Sequence, residues 1–143
     1  AMLSREEILI PARFACTVAH LVMVLTAAYD VAGAVVRAEP TSTTASRLGD
    51  LEGWLRSMTG ASFALFALEF AGIFGGVSLF LPKVNTLSTL LHFFGFVFTA
   101  LYLGAAWDVK SFAWIFSFCS VLPALAEALA AFAVFKLKIV QWG

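Results

Sequence analysis

Four ionisable residues stand inside long apolar runs of this 143-residue chain: His20, Glu69, His92 and Glu127. A glutamate in hydrocarbon costs on the order of 2.5 kcal/mol or more, so such side chains are expected to face protein or trapped water. A histidine and a carboxylate on neighbouring helices relieve each other's desolvation and shift each other's proton affinity. At about 1.5 Å of rise per residue, His20, His92 and Glu127 each fall roughly 10 to 13 Å from one membrane face, with Glu69 nearer the midplane. The four are therefore expected to meet in one polar layer. Three chemistries fit such a layer. A proton or ion path would also need water and further groups toward the opposite face, where only Asp30 and Tyr102 offer themselves. A metal site could draw on two histidines and two glutamates, but there is one candidate ligand per helix and no HxxE or HxxxH spacing. The third reading, interhelical hydrogen bonds that fix the register of a bundle, asks least of the sequence; each such bond contributes about 0.6 to 2 kcal/mol.

Catalytic motifs are sparse. No nucleophile elbow, phosphate loop, HExxH or CxxC occurs, and only an intramembrane hydrolase built on Ser120 or Cys119 with His92 can be imagined, without support from spacing. An enzyme, a cofactor, a metal and a small-molecule substrate are not expected. Glu69, Gly72 and Gly76 recur at i, i+3 and i+7 and so share one helical face, suited to close packing against a neighbouring helix or a partner.

The elements that must carry these residues read as an all-α, polytopic membrane protein, an antiparallel bundle of four transmembrane helices in a single domain over residues 1–143. The spans are expected at about residues 12–36, 61–81, 87–107 and 111–135, lengths that suit a bilayer of about 30 Å. Ser4 and Glu7 stand at capping-box spacing ahead of Pro11, which can open the first span; Arg13 is expected to snorkel to the headgroups and Asp30 to reach the far interface. Residues 37–60 are polar, yet Leu48, Leu51, Leu55 and Met58 recur at helical spacing beside Trp54, as an interfacial helix or an early extension of the second span. Residues 82–86 read as a tight connection that would make the second and third spans antiparallel neighbours. On the third span His92, Gly95, Thr99 and Tyr102 form one stripe, and Phe93, Phe94, Phe96 and Phe98 suit lipid. Pro123 removes a backbone donor inside the fourth span, so a kink is expected near Cys119.

Composition agrees: 62% of residues are hydrophobic and 13% charged, against about 25% charged in soluble proteins, and mean hydropathy is +0.94. Formal net charge is zero with no basic run, so nucleic acid is not an expected partner; membrane lipids and other membrane proteins are. Cys16 and Cys119 lie in apolar segments and read as buried thiols. No ordinary signal peptide is legible, and Ala1 ahead of Met2 fits either an expression remnant or the start of a processed chain. An even number of spans puts both ends on one side; Arg5, Arg13, Lys83, Lys136 and Lys138 there, against Arg37, Arg47, Arg56 and Lys110 opposite, lean toward cytosolic ends.

Several blocks occur in a characteristic order. They are Pro11-x-Arg13-Phe14 with Ala19-His20-Leu21; Phe66-Ala67-x-Glu69-x-Ala71-Gly72 with Gly76-Val77-Ser78-x-Phe80; His92; and Ile115-Phe116-x-Phe118-Cys119-Ser120-x-Leu122-Pro123-Ala124-x-x-Glu127, ahead of Lys136 and Lys138. This set resembles the transmembrane protein 107 family of the ciliary transition zone, over about residues 11 to 138. The resemblance implies a four-span, non-enzymatic protein with cytosolic ends that helps organise the Meckel-Gruber module controlling ciliary membrane composition. His20, Glu69, Gly72, Gly76, His92, Pro123 and Glu127 match the family pattern by position, with no ligand role attached. Residues 31–57 do not align beyond length and polarity. The alternatives are a supernumerary structural subunit of a large membrane complex, in the mitochondrial inner membrane for example, and a small proton or ion transporter.

Overall fold

A computed structural model describes residues 4–136 and shows only helices and turns among them. The first helix, α1 (Arg5–Tyr29), starts before Pro11 because Ser4 and Glu7 close a capping box. Two orphan backbone groups are thereby satisfied at the entry. Pro11 is carried inside the helix, and the Glu7 carbonyl it leaves without a donor lies on an exposed residue. The expected continuation to residue 36 is broken at Asp30, whose carboxylate accepts from the Gly33 backbone and opens a second short helix, α2 (Val31–Ala38). A Cβ at Gly33 would run into that carboxylate. A hydrogen bond from Arg37, then the one from Gly33, holds the Asp30 carboxyl below its ordinary range.

The polar segment 37–60 is helical from Ala45 onward, as the start of α3 (Ala45–Phe74) capped by Thr44. Thirty residues span about 45 Å, more than the hydrocarbon is thick, so the amino-terminal third of α3 projects beyond it. Leu51 and Leu55 on that projection bury against Val31, Val35, Val109 and Phe112. An apolar cap thus closes this end of the bundle, with the Lys110 ammonium over the Trp54 ring at 4.4 Å.

At its other end α3 stops seven residues before the expected limit of 81. The Val77 N–H reaches the Gly72 carbonyl and the Gly76 N–H reaches that of Ile73, with Gly76 at φ 70. This is the Schellman arrangement, in which a left-handed glycine ends the helix. Gly76 is therefore a terminator and not, as expected from spacing, a member of a helical packing face. After the turn, α4 (Pro82–Gly104) begins on proline at its first position, five residues earlier than expected. The last span, Val109–Lys136, comprises a 3-10 turn (Val109–Ser111), α5 (Phe112–Ile115), a π turn (Phe116–Val121) and α6 (Leu122–Lys136). The Leu122 N–H reaches back five residues to Ser117, so the irregularity around Cys119 is a widened turn just before Pro123.

Four helical stretches are long and apolar enough to cross a membrane. On two of them the buried residues follow alternating steps of three and four: Arg13, Thr17, His20, Val24 and Ala27 on α1, and Asn85, Ser88, His92, Gly95, Thr99 and Tyr102 on α4. That spacing gives a seam with a 3.5-residue period, as in left-handed bundles. The close backbone approaches are α1 with α4, α1 with α3, α3 with α6 and α4 with α6. Consequently α3 and α4, though consecutive, face each other across the bundle, as do α1 and α6. Phe93, Phe94, Phe96 and Phe98 point outward.

Candidate functional site

The polar interior consists of two clusters at different depths. In the first, Arg13 of α1 is 1% exposed, not snorkelling as expected. Its Nη2 donates to Glu127 Oε2 at 2.6 Å, and its Nη1 donates to Ser78 Oγ at 2.6 Å and Asn85 Oδ1 at 2.7 Å. The Ser78 hydroxyl also donates to Glu127 Oε2 at 2.6 Å, and Asn85 Nδ2 donates to the Leu79 carbonyl. One guanidinium thus binds α4, α6 and the turn after α3. The opposite charges of Arg13 and Glu127 cancel, which lets both sit in a low dielectric.

Deeper along α1, His92 Nε2 lies 2.6 Å from Glu69 Oε2 and its Nδ1 lies 3.0 Å from His20 Nδ1. Each contact is a hydrogen bond whose donor is set by the imidazole tautomer. Glu69, His20 and His92 are fully buried, and Phe66 presents its ring to His20 at 5.0 Å between centroids. Gly95 makes the arrangement possible, because a Cβ there would come within 2.5 to 2.7 Å of the His20 ring. Among the described residues, hydrogen bonding does not extend from the triad to the far-side groups: Tyr102 donates to the Val109 carbonyl and Asp30 pairs with Arg37. Among the described residues, no group of three or more His, Cys, Asp or Glu is placed to hold a metal ion.

The expected single layer is therefore divided. Glu69, His92 and His20 meet, while Glu127 belongs to Arg13 instead. Gly72 is buried with Glu127 directly against it, since a Cβ there would occupy the place of Glu127 Oε1. Pro123 is buried beside the π turn, and Cys16 and Cys119 are free thiols. Arg13, Ser78 and Asn85 were not legible as site residues: the first sits near a helix end, the others in segments read as a helix end and a loop. The signal for Arg13 was its place on the Thr17 and His20 stripe.

Two diagonals of a four-span bundle, each closed by a charged or protonatable side chain reaching across the centre, define an integral multi-pass membrane protein. Comparison with known proteins makes the class specific. The family model for TMEM107, described as transmembrane protein, matches residues 9–131, and the chain belongs to that family. It is 35% identical to transmembrane protein 107 of Xenopus laevis over 130 residues, covering 91% of this chain and 93% of that one. It is 30% identical to transmembrane protein 107 of Homo sapiens over 136 residues, 95% of this chain and 97% of the relative. No solved structure matches.

Proposed function

We propose that this protein is a non-enzymatic membrane scaffold of the ciliary transition zone, where it helps assemble the Meckel-Gruber module that controls ciliary membrane composition. Family membership over residues 9–131 is the observation that carries the reading. The interior chemistry supports it: Arg13, Glu127, Ser78 and Asn85 are joined to one another, and Glu69, His92 and His20 likewise. Those bonds fix the relative positions of all four spans, which is what a scaffold must hold constant for its neighbours. Tagging the protein at its native locus in ciliated cells is expected to give a signal confined to the cilium base. A uniform mitochondrial signal would overturn the proposal in favour of a subunit of another membrane complex.

A further inference from the structure

Two cavities follow the outer seam between α1 and α4. The first, about 640 Å³, is lined by Arg5 of α1 and by Leu81, Pro82, Lys83, Thr86 and Leu87 at the start of α4. The second, about 240 Å³, is lined by Ala15, Cys16 and Ala19 of α1 and by Phe93 and Phe96 of α4. The two helices run parallel, since Arg13 meets Asn85 and, further along both, His20 meets His92. Cys16 follows Arg5 by about three turns and Phe93 follows Thr86 by about two, so both cavities open on the same side of the pair. Ten residues separate Arg5 from Ala15, and ten separate Lys83 from Phe93. The second cavity therefore lies about 15 Å deeper than the first along either helix.

The first cavity is a cationic mouth. Its lining includes two cations and no acid, both cations are exposed, and among the described residues neither is held in an ion pair. Elsewhere basic side chains are engaged: Arg13 with Glu127, Arg37 with Asp30, Arg47 with Glu39, and Lys110 with the Trp54 ring. α4 also enters at the mouth without a side-chain cap, so its first N–H groups reinforce the positive field of the two side chains.

We infer that this seam binds one anionic phospholipid, its headgroup between Arg5 and Lys83 and one acyl chain lying along the second cavity. Charge complementarity names the headgroup. A choline headgroup would bring a further cation to the mouth, and a sterol brings no charge. Depth names the tail, because about 15 Å is one leaflet's share of a hydrocarbon core about 30 Å thick. Close approach of a partner helix needs small residues on both walls, whereas Phe93 and Phe96 on the α4 wall are 49% and 37% exposed. The inference goes beyond the scaffold reading and does not depend on it.

The test places the full chain, one copy per disc, in phosphatidylcholine nanodiscs that hold a trace of photoreactive lipid. The reactive group is on the acyl chain of either phosphatidylserine or phosphatidylcholine, and crosslinks are mapped by peptide. The phosphatidylserine probe is expected to label the peptides around Cys16 and Phe93 roughly three- to tenfold more than the phosphatidylcholine probe. Arg5→Gln with Lys83→Gln is expected to remove that preference. Arg47→Gln with Arg56→Gln, which takes the same charge from exposed positions on the opposite side, is expected to keep it. Both leaflets of a nanodisc are alike, so general attraction of anionic lipid to the chain falls equally in the two variants. Equal labelling by the two probes, or a preference that survives loss of Arg5 and Lys83, would overturn the inference. Displacement of the phosphatidylserine label by cholesterol but not by unlabelled phosphatidylserine would overturn it in favour of a sterol. Loss of the label when two copies share a disc would assign the seam to a second copy instead. Nothing in the test needs a cilium, so failure here and mislocalisation in cells reject different readings.

Discussion

Arg13 shows how one side chain's role depends on its partner's charge. Removing a partner from a buried ion pair leaves the other charge stranded, at about 3 to 5 kcal/mol, whereas replacing both with apolar groups is often neutral. Arg13→Met is therefore expected to destabilise the bundle by about 3 kcal/mol or more, since Glu127 would keep only Ser78 as a donor. Adding Glu127→Leu to that variant should recover most of the loss. Equilibrium unfolding in mixed micelles measures both, and a double variant no more stable than the single would show that the pair's charges are not what sets the cost. The sequence placed His20, Glu69, His92 and Glu127 inside correctly as far as burial goes, but not which of them meet. Hydropathy reports how apolar a run is; pairing depends on helix rotation and on side-chain reach, and Arg13 has the reach to pass from α1 to α6.

At the scale of elements, the cores of the helices were legible and their ends were not. The polar and small stripe of His92, Gly95, Thr99 and Tyr102, at steps of three and four, identified the buried face of α4. The ends depend on local backbone chemistry that hydropathy does not weigh: the cap at Ser4, the break at Asp30, the Schellman turn at Gly76. The glycines of α3 and of the turn that ends it separate these effects. Gly72→Ala would place a Cβ on Glu127 Oε1 and is expected to be the most damaging, because it disturbs the Arg13 cluster as well as local packing. Gly76→Ala meets no neighbour but forces a Cβ into the left-handed region, at about 1 to 2 kcal/mol. Gly60→Ala, mid-helix with open space around it, is expected to stabilise by about 0.5 to 1 kcal/mol. Thermal unfolding of the three variants tests that order, and a Gly60→Ala protein less stable than the Gly76→Ala one would refute it.

For the whole molecule, the division of its interior bears on how it sits in the membrane. The half that holds the start of α1, the turn after α3 and the end of α6 is stitched by Arg13, Glu127, Ser78 and Asn85. The opposite half is apolar, built from Val24, Val35, Leu55, Phe112 and their neighbours. Orientation by the positive-inside rule counts only basic groups near the surface. Arg13 is buried and neutralised by Glu127, so it leaves the count, and Arg5, Lys83, Lys136 and Lys138 then balance Arg37, Arg47, Arg56 and Lys110. Charge bias is thus removed as the determinant of topology, and the crossing number takes its place. Four crossings put Glu6 and Lys83 on one side and Ser42 on the other. In sealed vesicles, an impermeant maleimide is expected to label Glu6→Cys and Lys83→Cys from the same side and Ser42→Cys only from the opposite one, over a low background because Cys119 is buried and Cys16 half-buried. Labelling of all three from one side would break the four-span arrangement, and with it the diagonal pairing of α1 with α6 and α3 with α4 that the two polar clusters require.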